Sequence, residues 1–120
     1  MTDLQAAIDA FLCYVRERYD ILTFYSDDIN EKYFPLWSGR TWTAREVLTI
    51  ADQPGCDRFF VLCGVFEKVI VDAATMLSIT HDANTRSVCI GRMLEAERLR
   101  GALHVLGLKL AAKEEDEDDA

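Results

Sequence analysis

At 120 residues, half of them apolar and 28% charged, the chain has the size and balance of one globular domain, not of a disordered segment. Its formal charge of −8 sits mainly in six consecutive carboxylates, Glu114 to Asp119; residues 1–113 hold 13 basic and 15 acidic side chains. A body at −2 lacks the dense negative surface that imitating nucleic acid requires, and no apolar run approaches the roughly 20 residues needed to cross a bilayer.

The first residues, Met-Thr-Asp-Leu-Gln, show no basic region followed by an apolar one, so the expected location is cytoplasmic. Thr2 with Gln5 is a capping-box pattern. Leu4, Ile8, Phe11, Val15 and Leu22 then recur at helical spacing, predicting a first helix from Asp3 to Phe24. Cys13 lies in this apolar run, as do Cys63 and Cys89 in theirs, where a thiol behaves as a small hydrophobe. Free thiols are expected, with Cys56, after Pro54-Gly55, the most exposed.

Ser26 to Asn30 is rich in turn formers. Tyr33-Phe34-Pro35-Leu36-Trp37-Ser38-Gly39-Arg40 follows, where proline and glycine predict an irregular loop. Thr43 with Glu46 is a second capping box, opening a short helix through about Ala51 that Gln53-Pro54-Gly55 ends.

Asp57 can cap a third helix reaching Ile79, with Phe59, Leu62, Cys63, Phe66, Ile70, Ala73 and Leu77 on one line. Phe60, Val61, Val65, Val69, Val71 and Met76 fall elsewhere around its axis. A helix this apolar is central to the fold or covered by a second copy of the chain, which predicts a homodimer. Its wealth of Val and Phe also allows two short strands within 59–71. The helix is preferred because good helix formers (Ala73, Ala74, Met76, Leu77) continue it.

His81 to Thr85 reads as a turn, and a last helix runs from about Arg86 to Ala112. Val88, Ala96, Leu99, Leu103, Leu106 and Leu110 share one face, and Arg92 falls on it too, implying a bend near Gly91 or a partly buried ion pair. Gly101 and Gly107 each weaken this helix by about 1 kcal/mol relative to alanine. The acidic run is unfavourable at a helix C-terminus, where the backbone dipole is already negative, so the helix should stop near Lys113.

The expected fold is therefore all-α: a compact bundle of three main helices plus one short helix, the third helix central, with a long aromatic loop and a disordered acidic tail. Residues 1–112 form the helical domain and 113–120 the tail. The alternative is α+β with strands in 59–71.

Function is far less legible. Residues 86–113 carry six basic side chains against Glu95 and Glu97, but helical geometry scatters them. Glu95 with Arg98, and Glu97 with Arg100, stand at pairing distance along the helix. No nucleic-acid partner is expected. The cysteines and histidines make no zinc-ligand spacing, so no metal or cofactor is expected. No phosphate loop, dinucleotide fingerprint or nucleophile elbow is present; a small enzyme would have to draw on Asp27, Asp28, His81 or Cys89.

One segment stands out. Of the twelve aromatics, Phe24, Tyr25, Tyr33, Phe34, Trp37 and Trp42 fall within 19 residues that also hold Arg40. Trp, Tyr and Arg are the types that concentrate binding energy at protein interfaces. The leading expectation is a non-catalytic protein-binding module, an inhibitor, immunity-type protein or adaptor, contacting its partner through Tyr33, Phe34, Trp37, Arg40 and Trp42. The plainer account is that these aromatics pack down as a lid over the core. A ligand pocket beneath them is the second functional reading.

Overall fold

The computed structural model describes residues 3–25, 28–51 and 58–118, with the side chains at 3, 4, 58–60, 63 and 108–118 outside that description. Thr2, Asp27, Gln53 to Cys56 and Asp57, read above as caps, turns, a candidate acid or an exposed thiol, lie outside the described residues, as do the side chains of Phe59, Phe60, Cys63, Leu110 and the acidic run. Among the described residues, four helices follow one another: α1 Asp3–Phe24, α2 Phe34–Ala51, α3 Arg58–Ile79 and α4 Ala83–Asp118. No strand occurs among the described residues.

The first helix has the predicted bounds, and Ile8, Phe11, Val15 and Leu22 of its stripe are buried. Cys13 departs from expectation: it lies on the exposed side of α1, one residue from the buried line. Segment 59–71 is helical throughout. Its buried residues Leu62, Val65, Phe66, Val69 and Ala73 recur at steps of three and four, as a helix buried on one side requires and an alternating strand does not. Phe66 meets Phe11 edge-on, with ring centroids 6.1 Å apart.

The expected aromatic loop is helix. α2 begins at Phe34 instead of near Thr43, so the bundle has four full-length helices. Pro35 falls in the first turn, where a missing N–H forfeits no intrahelical bond. The turn before it is fixed by Asn30, whose Oδ1 accepts from the Lys32 amide at 3.0 Å while its carbonyl accepts from the Tyr33 amide at 2.8 Å. α4 also starts earlier than predicted. Asp82 is its N-cap, accepting from the Thr85 amide at 2.8 Å and the Thr85 hydroxyl at 2.7 Å. At its other end α4 continues past Lys113 to Asp118; adding a residue to an existing helix is far easier than starting one, and Glu is a good helix former.

The centre of the bundle is not α3. α2 and α4 make the most extensive pairing, and each packs against all the other helices, whereas α3 lies mainly on α4. Gly39 and Gly91 explain the closeness of that pairing. A Cβ on Gly39 would overlap the Val88 carbonyl, and one on Gly91 would overlap the Leu36 carbonyl. Each glycine removes the side chain that would hold the two backbones apart. α1 runs antiparallel to α2: the end of α1 meets the start of α2 where Trp37 Nε1 donates to the Leu22 carbonyl at 2.6 Å.

Candidate functional site

Two polar arrangements and one aromatic surface stand out. The first polar arrangement centres on Glu95, which is completely buried. Arg18 of α1 forks onto it, Nε to Oε2 at 3.0 Å and Nη2 to Oε1 at 2.8 Å, and Arg40 of α2 adds Nη1 to Oε1 at 3.0 Å. Hydrogen bonding to Glu95 raises the Arg18 pKa above its ordinary value against the opposing cost of burial. A buried carboxylate needs such partners, since desolvating an unpaired charge is costly. This cluster ties three helices into one register. It also replaces the expected Glu95–Arg98 pair; Arg98 instead donates from Nε to the Tyr14 hydroxyl at 3.2 Å.

The second arrangement is built on Arg92. Its Nη2 lies 3.2 Å from Glu46 Oε2, its guanidinium covers the Trp42 ring at 4.3 Å, and its carbonyl accepts from the buried Thr43 hydroxyl at 3.1 Å. The partly buried ion pair expected for Arg92 is thus present, running between helices.

The aromatics divide sharply. Trp37 is half-buried against the core and held by its bond to Leu22. The other five stay exposed: Phe24 74%, Tyr25 48%, Tyr33 55%, Phe34 47% and Trp42 53%. Phe24 and Tyr25 close α1 and stack edge-on, with centroids 4.9 Å apart. Tyr33 and Phe34 open α2. Because Trp37 pins the two helix ends together, all four gather at one tip of the α1–α2 hairpin. Trp42 lies two turns farther along α2, on the same outward side as Phe34, Ser38 and Arg45. Of the five expected contact residues, Tyr33, Phe34 and Trp42 are therefore on the surface, while Trp37 and Arg40 hold the fold together.

Two open depressions flank Trp42. One of about 320 Å³ is lined by Tyr19, Ser38, Thr41, Trp42 and Arg45; the other, of about 330 Å³, by Trp42, Arg45, Glu46, Thr49 and Ile50. Both are shallow features of the surface and not chambers beneath a lid. The groups that a small enzyme would have used are dispersed in environment. Asp28 is exposed in the α1–α2 connection, His81 is exposed before α4, and Cys89 is buried within α4. No group of three or more metal-ligating side chains is present among the described residues, nor does any helix there have the length and apolarity to cross a membrane.

The Glu95 cluster was not legible as such in the sequence. Its members stand 55 and 77 residues apart along the chain, and the only local signal was a charge on the apolar side of a helix. No family model, curated protein or solved structure matches the chain.

Proposed function

We propose that the protein is a non-catalytic protein-binding module whose contact surface is the aromatic tip of the α1–α2 hairpin together with the outer side of α2. The observation that carries this reading is the exposure of five of the six clustered aromatics, 47% to 74% each. Had the aromatics served only as a lid, they would be packed down as Trp37 is. Aromatic side chains contribute large contact areas at little entropic cost, and grouped exposure of this kind marks interaction surfaces. The neighbouring Glu95 cluster gives the surface a rigid base, which limits the ordering cost of binding.

The test is capture from native lysate, comparing wild type with a Phe24→Ser, Tyr33→Ser, Phe34→Ser variant. These side chains are exposed, so the variant should melt within a few degrees of wild type. A partner retained by the first and lost by the second is the expected result; an identical set of captured proteins removes the tip as the contact surface.

A small-ligand reading draws on the depressions beside Trp42, whose volumes lie at the lower end of those of ligand sites. Thermal-shift screening separates the two readings, since a ligand that binds the native state raises its melting temperature. Self-association belongs to the proposal as well. Val71 61%, Met76 45% and Ile79 68% exposed on α3 leave apolar surface that a second copy could cover; sedimentation as a monomer at tens of micromolar would count against it. A cytoplasmic setting accords with the free thiols of Cys13 and Cys89.

A further inference from the structure

We infer that the hairpin tip recognises a cationic peptide segment of its partner, one that presents Lys or Arg beside apolar side chains. The inference rests on the protein-binding reading and adds the chemistry of what is bound. Three exposed carboxylates, Asp20, Asp28 and Glu31, each stand within four residues of one of the four exposed aromatics along the chain. Asp20 lies one helical turn before Phe24, so the two share a side of α1. The Asp28 amide donates to the Tyr25 carbonyl at 3.1 Å, which turns the backbone at Asp28 back onto the end of α1. The Phe34 amide donates to the Glu31 carbonyl at 3.3 Å, which places Glu31 in the turn that opens α2. Residues 20–34 hold four carboxylates, Asp20, Asp27, Asp28 and Glu31, against the single cation Lys32, so the segment that carries the apolar patch gives it a negative rim.

The chain itself already places a cation on this surface. Lys32 Nζ lies over the Tyr33 ring, 5.7 Å from its centroid. An aromatic face attracts a cation through its quadrupole, and neighbouring carboxylates reinforce that attraction. Farther along α2, Arg92 occupies the Trp42 ring in the same manner. Lys32 is exposed, and its 5.7 Å separation lies close to the roughly 6 Å limit of such contacts, so an incoming Lys or Arg can replace it. The rim also selects against the other polymers an aromatic patch could stack upon: a phosphate backbone or an anionic lipid surface would meet like charge.

A displayed library of random short peptides, panned on the full chain, tests the inference. Enriched peptides should carry net positive charge together with apolar residues. For a chosen peptide, affinity should fall roughly tenfold or more on the Asp20→Lys, Asp28→Lys, Glu31→Lys variant and weaken with added salt. It should fall similarly on Tyr33→Ser, Phe34→Ser, and rise on Lys32→Ala, which removes the competing amine. Enrichment without excess positive charge, equal binding to the charge-reversed chain, or no enrichment at all overturns the inference. Lysate capture that depends on the aromatics but ignores charge reversal would keep the protein-binding reading and discard the cationic partner. Loss of dependence on the aromatics would discard both.

Discussion

Gly39 and Gly91 pack against each other's helices in a reciprocal manner. Gly39 lies over the carbonyl of Val88 and the amide of Arg92, three residues before and one after Gly91; Gly91 lies over the carbonyl of Leu36 and the amide of Arg40, three before and one after Gly39. The crossing of α2 and α4 is thus locally two-fold symmetric. The residue following each glycine is an arginine that enters one of the interhelical ion pairs, Arg40 with Glu95 and Arg92 with Glu46. Close backbone approach and charge pairing are two parts of one contact.

Alanine at either glycine should be destabilising, because the atoms it meets are backbone and cannot rotate away. The expected cost is about 1–3 kcal/mol, a fall of about 4 °C in melting temperature per kcal/mol for a domain of this size. The double variant should cost less than the sum, since one separation of the helices relieves both overlaps. Gly101→Ala should do the opposite: nothing lies within 4 Å of its Cβ position, and replacing an exposed mid-helix glycine stabilises by about 1 kcal/mol. Melting curves of the four variants decide it.

Glu95→Gln keeps the shape of the side chain and removes the charge that Arg18 and Arg40 share. With Glu95 fully buried, the loss should be about 3–5 kcal/mol. Arg40→Gln should cost less, about 1.5 kcal/mol, because the Arg18 fork still engages both carboxylate oxygens. Urea midpoints at unchanged m-value would register the difference; equal losses would show that Arg40 matters as much as the carboxylate.

Asp82 gives a pH-dependent signature. Hydrogen bonding from the Thr85 hydroxyl and amide lowers its pKa below the ordinary value of a carboxylic acid. A lowered folded pKa means that the capped helix gains stability above the unfolded pKa, near 4, and loses it as pH falls through the folded value. The melting temperature of Asp82→Ala should therefore lie below wild type at neutral pH, and the gap should close as the solution is acidified below pH 4. A gap that persists in strong acid would mean that the cap acts through something other than the carboxylate.

Trp37→Phe keeps a large apolar ring against the core and deletes the bond to the Leu22 carbonyl. A loss of about 1–2 kcal/mol is expected, including the carbonyl left without its partner. Hydrogen exchange should then be faster at the end of α1 and the start of α2, the two ends this bond joins. Trp42→Phe, on an exposed side chain, should leave stability nearly unchanged.

The apolar spacing of α1 foretold both its bounds and the burial of Ile8, Phe11, Val15 and Leu22. α3 was legible as a helix for the same reason, although Val65 and Val69 turned out to belong to its buried side. Segment 33–42 was misread because proline and glycine carry two meanings. In a local reading they break structure; here Pro35 occupies a first turn and Gly39 a helix crossing. The aromatic cluster could be found from composition, but which of its members remain exposed could not.

Local sequence periodicity determined that this chain is helical, since a turn of helix depends only on residues three and four apart. Tertiary structure alone decided that α2 and α4 form the centre, that Glu95 is shared by Arg18 and Arg40, and that Trp37 turns inward while Tyr33, Phe34 and Trp42 face solvent. Those outcomes depend on which helices come into contact, and side chains distant along the chain carry no mark of one another until packing brings them together.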